Sequence, residues 1–247
     1  MKQNLLLEKY KKNGFVVVRK VFKRQQILKV LKELEIVKHK ASKLSKKYYH
    51  KTANGKFNTI HNINTFVNKG NIIKISKSPK INNLAKIILN DKPQLRNIEF
   101  FLKPKKNKMK TPFHQDNFFW NIVDAKGINI WIACSKASKA NGGICYLKES
   151  HNLGTIKHEM SYVKGTSQQI PSKVLTNLKF KKIFPKINTG DIIIHNCEVI
   201  HGSENNKSEK DRIGLVLSFK GANSSYDKKK IASYKKKLKR SLKKIYN

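Results

Sequence analysis

The sequence predicts a mainly β chain with flanking helices, its strands built into a sandwich or barrel. Three observations carry this. After Pro93 the 247-residue chain breaks into short apolar runs, 98–102, 128–134, 144–147, 191–195 and 215–219, each of strand rather than helix length. Gly127, Asn141-Gly142-Gly143, Gly154, Gly165, Gly190 and Gly202 punctuate those runs, and such turn signals suit many short strands. Helical apolar spacing is found instead at 24–40, from Pro79 to Asn90 and after Asp227.

In chain order, Asn13-Gly14 signals a turn into residues 15–18, Phe-Val-Val-Val, a short buried strand. Residues 24–40 place Ile27, Leu28, Leu31, Leu34 and Val37 at helical spacing. Residues 41–71 are polar, with Tyr48, Tyr49, Phe57 and Phe66 scattered among them. Loops over a pocket are expected there. Pro79 starts a second helix running to Asn90, with Leu84, Ile87 and Ile88 on one face. The tail carries Ile231, Tyr234, Leu238, Leu242 and Ile245 at spacings of 3, 4, 4 and 3, the mark of an amphipathic helix with a basic outer face. No repeat and no flexible linker divides the chain. One domain over 1–226, followed by a basic helix over 227–247, is the expected organisation.

Lys+Arg number 54 against 15 Asp+Glu, a formal net charge of +39. Such a surplus attracts nucleic acid, a membrane face or an anionic substrate. Only Arg19, Arg24, Arg96, Arg212 and Arg240 are arginines, whereas specific phosphate and base contacts favour the guanidinium fork. Lys, Asn and Ile share A/T-rich codons, and Lys is spread along the whole chain, so codon usage is the simpler source of the charge. A nucleic-acid-binding protein using the Lys-rich surface and tail helix is the alternative reading. Hydrophobic residues at 38% and aromatics at 9% supply a core and exclude wholesale disorder. No apolar run approaches the roughly 20 residues that cross a bilayer. Cys134, Cys145 and Cys197 form neither a disulfide framework nor a Cys-x-x-Cys zinc site. The N-terminal stretch lacks a signal-peptide pattern. A reduced, cytoplasmic protein is expected. No nucleophile elbow, phosphate-binding loop or dinucleotide fingerprint is present.

Two local patterns carry chemistry. In Thr111-Pro-Phe-His114-Gln-Asp116, the His and Asp are two apart and share a face if the segment is extended. Joined by a distant His, they match the 2-His-1-carboxylate set of non-heme iron enzymes, which leaves positions open for other ligands. In the second pattern Gly190-Asp191 opens a strand, His201 sits past its end, and Ser203, Asn205 and Arg212 follow. An Arg at the start of the next strand can clamp a carboxylate bidentately. A closed zinc site with Cys197 as fourth ligand is the rival use of the same residues. His195 reads as a buried supporting residue rather than a ligand.

These residues, with Trp131 followed by Ala-Cys, Ala140-Asn-Gly-Gly143, Leu147-Lys-Glu-Ser-His151 and the opening Tyr10-x-x-x-Gly14-Phe-Val-Val, resemble the phytanoyl-CoA dioxygenase family of Fe(II)- and 2-oxoglutarate-dependent oxygenases. The resemblance spans about residues 8 to 220. It implies a double-stranded β-helix (a cupin-like jelly roll) over about 95–220, with helices packed on one side. It implies Fe(II) held by His114, Asp116 and His201, with 2-oxoglutarate and O2 as cosubstrates. Arg212 and Ser203 would bind the distal carboxylate of 2-oxoglutarate, Trp131 would face it, and Lys103 would reach it. Gln115, Asn117, His151, Tyr48 and Phe66 are candidates for lining the substrate site. The reaction implied is C–H hydroxylation of a small molecule coupled to conversion of 2-oxoglutarate to succinate and CO2, and the positive charge of the chain favours an anionic one. An oxygenase acting on nucleic acid is the variant that joins this reading to the charge. Two features bear on the match. The family's Pro-Gly-Ser-His reads Lys148-Glu-Ser-His151 here. Asp116 is retained, which disfavours a halide-binding variant.

Overall fold

A computed structural model describes residues 3–163 and 165–246, with residues 237 and 239–246 described by backbone alone. Thirteen strands are described. They are β1 (Phe15–Val18), β2 (Tyr49–Lys51), β3 (Phe57–Ile60), β4 (Pro93–Lys103), β5 (Thr111–His114), β6 (Gly127–Ala133), β7 (Ile144–Leu147), β8 (Glu159–Val163), β9 (Thr166–Gln169), β10 (Lys182–Ile183), β11 (Ile192–Asn196), β12 (His201–Ser203) and β13 (Arg212–Gly221). The helices are α1 (Gln3–Asn13), α2 (Arg24–Ser42), α3 (Asn71–Ser76), α4 (Pro79–Leu89), α5 (Asp116–Trp120), α6 (Ser172–Asn177) and α7 (Lys228–Tyr246).

The strands form a large sheet in the order β1-β11-β6-β13-β4-β3-β2 and a smaller one in the order β10-β7-β12-β5. All their pairings are antiparallel. Side-chain alternation divides the large sheet into two faces. Ile128, Ile130, Ile132, Ile192, Ile194, Leu215, Leu217 and Phe219 point outward and pack on Ile27, Val30, Leu34, Ile81 and Ala85 of α2 and α4. Trp131, Ile193 and Val216 point inward and meet Tyr146, Ala137 and Val199 from the side of the smaller sheet. This is the jelly roll with helices on one side. Strand β6 is buried at every position because apolar material covers both of its faces. Ile130 and Ile132, at 0% exposure, contribute about 1.5–3 kcal/mol each by burial.

Local sequence explains the helix boundaries. Ser78 caps α4 by accepting from the Ile81 N–H, and Pro79 occupies the first turn, where its missing N–H costs nothing. Asn90, at φ 48°, ends that helix in the left-handed region.

The expectation of loops over 41–71 is corrected. Strands β2 and β3 form a hairpin that extends the large sheet through Thr59↔Phe101 and Ile60↔Phe100. Pairing with β4 organises residues whose own pattern is weak. A further helix, α1, precedes β1 and buries Leu6 and Tyr10. The tail helix forms as α7, and its Tyr234 meets Phe118 and Phe119 at 6.1 and 6.0 Å and shares a 2.7 Å hydrogen bond with Ser167. The side chains at the expected apolar positions Leu242 and Ile245 lie outside the described residues. Among the described residues no helix is long and apolar enough to cross a membrane.

Candidate metal centre

His114 ends β5 and His201 starts β12, and the two are paired in register. Between His114 and Asp116, Gln115 is extended (φ −120°, ψ 133°), so residues two apart project to one side. Asp116 then begins α5. The ligating atoms of His114, Asp116 and His201 all lie within 4.8 Å of one another. Among the described residues this is the one such group of three or more His, Cys, Asp or Glu side chains.

Each ring is oriented by the backbone. His114 Nδ1 donates to the Pro112 carbonyl at 2.8 Å, and His201 Nδ1 donates to the Val199 carbonyl at 3.0 Å. A carbonyl only accepts, so the proton sits on Nδ1 and the Nε2 lone pair is left for a metal. Both Nε2 atoms lie 3.8 Å from the Asp116 carboxylate. Burial pulls the His114 imidazole down to about 4, with the neighbouring His201 adding to the effect. Burial also lowers His201. Both rings are therefore neutral at pH 7, as metal ligands must be. Burial alone would raise Asp116, but His201, His195 and His114 outweigh it and hold the carboxyl well below the usual carboxylate range.

The carboxylate is held from the opposite sheet. Asp116 Oδ2 accepts from Asn129 Nδ2 at 2.8 Å and from His195 Nε2 at 3.1 Å. His195 Nδ1 is 2.9 Å from the Tyr146 hydroxyl, and the Ser218 hydroxyl donates to Asn129 Oδ1 at 2.5 Å. Oδ1 of Asp116 carries none of these bonds and faces His114 Nε2. Two imidazole nitrogens and one carboxylate oxygen on one side are the donor set that borderline and hard divalent ions accept. The residues fit such an ion. Cys197 is not part of the group. Its thiol lies 3.2 Å from the Ala125 carbonyl, and no closed four-ligand site forms among the described residues.

A second cluster lies along the inner face. Arg212 begins β13 opposite Lys103 of β4. Arg212 is 3% exposed, and its guanidinium donates to backbone, to Gly142 O at 3.1 Å and Phe101 O at 3.3 Å. Among the described residues no carboxylate pairs with it, and burial pulls it down to about 10. A buried cation without an anion is costly unless a ligand supplies one. Gly142 stands at φ 73°, and a Cβ there would lie 2.7 Å from the Glu204 carbonyl and the Lys103 stem; only glycine presents that carbonyl to Arg212 without strain. The Trp131 ring lies 5.8 Å from the guanidinium. Gly214 lets the indole lie flat on β13, because a Cβ at that position would overlap it. Lys103 Nζ lies within hydrogen-bond reach of the carbonyls of Met109, Ser203 and Glu204. Burial, then Arg212, pulls Lys103 down to about 6. Ser203 is buried two residues beyond His201 on the same strand.

The remaining expected residues make structural contacts of their own. The Gln115 amide donates to the carbonyls of Gly154 and Glu198 and accepts from the Ile156 N–H, so it holds loops behind the site. Asn117 binds Ile122 N and O, Thr155 and Glu198. His151 binds the Lys11 carbonyl against the N-terminal corner. Tyr48 and Phe66 meet each other edge-on at 5.7 Å, with Phe66 against the outer core. Asn129, Tyr146 and Ser218 are not predictable from local sequence, since only sheet register brings them to Asp116. Asp191 serves the fold, accepting from Lys20 N, Asn188 N and Arg19 at 2.8 Å each. Asn97 Oδ1 is buried with no hydrogen-bond partner, a state that costs about 1–3 kcal/mol.

Comparison with known proteins gives one family. A sequence profile for phytanoyl-CoA dioxygenase (PhyH) matches residues 10–214. Phytanoyl-CoA dioxygenase domain-containing protein 1 of Danio rerio is 25% identical over 149 residues, 56% of this chain and 49% of that protein. Its homolog in Caenorhabditis elegans is 24% identical over 258 aligned positions, covering 86% of this chain and 88% of its own. The chain thus spans about half the length of the first relative and most of the second. Among solved structures, the epimerase SnoN in complex with Fe3+, alpha ketoglutarate and nogalamycin RO superposes with a TM-score of 0.74 at 16% identity, over 91% of this chain and 85% of that one. The apoform of EctD from S. alaskensis gives a TM-score of 0.76 at 13% identity, over 92% and 80%.

Proposed function

The chain belongs to the phytanoyl-CoA dioxygenase family, and from that premise we propose that it is a non-heme Fe(II)- and 2-oxoglutarate-dependent dioxygenase hydroxylating a C–H bond of a small molecule. The observation that carries the reading is the convergence of His114, Asp116 and His201 within 4.8 Å. The SnoN structure, described with Fe3+ and alpha ketoglutarate on the same fold, supports it. When bound, iron and 2-oxoglutarate would supply the oxidising chemistry, with O2 consumed and succinate and CO2 released.

The chain's own residues bind, orient and exclude water. His114 and His201 offer Nε2 because their Nδ1 protons are tied to carbonyls. Asp116 offers Oδ1 because Asn129 and His195 hold Oδ2. Arg212 would pair with the distal carboxylate of 2-oxoglutarate, Ser203 would donate to it, and Lys103 would add positive charge beside it. Trp131 would form the apolar wall along its length. Phe119 lies 5.8 Å from the His114 ring, with Tyr234 of α7 over it, and these rings would screen the centre from water. The Lys-rich surface favours approach of an anionic molecule.

The test is iron-dependent turnover of 2-oxoglutarate. Slow formation of succinate in air, abolished by a chelator and by Asp116→Ala, is the expected result. Unchanged 2-oxoglutarate at full iron occupancy would overturn the reading.

A further inference from the structure

The inner face of β4 carries polar groups that neither the proposed metal site nor the proposed 2-oxoglutarate site uses. Alternation places Asn97, Glu99 and Phe101 on the same face as Lys103, and Phe101 packs with the inner core. Asn97 is in register with Ser218, and Ser218 with Asn129. Asn129 in turn donates to Asp116. Asn97 therefore stands two strands, about 10 Å, from the residue that holds the metal-site carboxylate.

Two oxygens on this wall are acceptors. Asn97 Oδ1 is buried and unpartnered. Glu99 Oε1 is 2.5 Å from His61 Nδ1, with side-chain exposures of 15% for Glu99 and 20% for His61. The His61 ring is braced edge-on by Phe101 at 6.1 Å and by His50 at 5.4 Å. Among the described residues no Lys or Arg pairs with Glu99. Arg96, next to Asn97, is turned away, its guanidinium over Trp120 at 4.2 Å and its Nε donating to Tyr226. Lys103 and Arg212 are tied to carbonyls at the far end of the face.

We propose that Asn97 and Glu99 are the specificity-determining wall of the substrate site, and that the substrate end entering it carries a hydrogen-bond donor, an ammonium or a hydroxyl, and not an anion. The inference rests on the oxygenase reading and names the substrate chemistry of that site. A donor would satisfy Asn97 Oδ1, whereas an anion would leave it unpaired and face the Glu99 carboxylate. Surface lysines act on the whole molecule during approach; this wall acts on the end that enters.

The test uses three probes of one shape: cyclohexylamine, cyclohexanol and cyclohexanecarboxylate. Binding to the full chain, loaded with 2-oxoglutarate and diamagnetic Zn(II) in place of iron, is read by saturation-transfer NMR. The amine or the alcohol is expected to bind about tenfold or more tighter than the carboxylate. Loss of amine binding in Glu99→Gln marks an ammonium, and loss of alcohol binding in Asn97→Leu marks a hydroxyl. Asn97→Asp, which keeps an acceptor, should retain amine binding. All three variants should keep the visible band that the anaerobic Fe(II) and 2-oxoglutarate complex gives. A carboxylate probe that binds as well as the others, or wall variants that change nothing while the band is intact, overturns the inference alone. A band missing from the wild type overturns the oxygenase reading beneath it.

Discussion

Nε2 of His195 lies 3.1 Å from Oδ2 of Asp116, so a strand of the large sheet fixes a carboxylate that follows a strand of the smaller one. An ionised carboxylate only accepts, which puts the His195 proton on Nε2 and turns Nδ1 toward the Tyr146 hydroxyl. Burial raises Tyr146 well above the ordinary tyrosine value, so that hydroxyl keeps its proton and donates.

This anchoring predicts a metal phenotype without loss of fold. Asn129→Ala or His195→Gln should weaken Fe(II) binding about 10- to 100-fold. Far-ultraviolet circular dichroism should be unchanged. Calorimetric metal titration at pH 7 checks it.

Gly214→Ala should be disruptive out of proportion to one methyl group. The added carbon would overlap the Trp131 indole, and overpacking of a dense core costs about 1–3 kcal/mol. The indole would have to leave the Arg212 side of the face. A lowered thermal midpoint together with weaker 2-oxoglutarate binding is expected.

Acid should destabilise the metal-free protein in a defined window. His114 and His158 are pulled down to about 4 by burial, and His201 is lowered too. Between the ordinary value near 6.5 and about 4, the unfolded chain binds protons that the folded chain refuses, so stability falls as pH falls through that range. Asp116, held low in the fold, adds its loss at still lower pH. Urea midpoints from pH 7 to 4 should drop steadily, and His158→Gln should flatten part of the slope.

On the proposed reading, Lys103 should couple 2-oxoglutarate binding to pH. Burial and Arg212 pull it down to about 6, and an incoming carboxylate would raise it again. Binding would then take up a proton above pH 6, and affinity would fall with rising pH by up to about tenfold per unit. Lys103→Met should give a flatter profile. Fluorescence titration of Trp131 between pH 6 and 8.5 reads the difference.

The legible parts of the chain were those whose signal is local. The strand at 15–18 and the one at 144–147 match their apolar runs, and α4 carries both its cap and its proline. His114 and Asp116 were legible because a spacing of two has one geometric meaning on extended backbone. His201 and Arg212 stood out by their place around strand ends. Asn129, Ser218 and Asn97 were not legible, because they form one polar row only after β4, β6 and β13 pair in register. Gln115 and Asn117 neighbour the proposed metal ligands in sequence, yet their amides bond the loops behind them. Adjacency along the chain does not say which side of the strand a residue faces.

On the proposed reading, His114, Asp116 and His201 hold iron while Arg212 holds 2-oxoglutarate beside it. The most direct measurement is the visible spectrum of the metal-free protein under anaerobic conditions, after Fe(II) and then 2-oxoglutarate are added. A weak charge-transfer band is expected in the wild type, lost in His114→Ala and weakened in Arg212→Ala. A wild-type protein that binds iron and gives no band on addition of 2-oxoglutarate would contradict it.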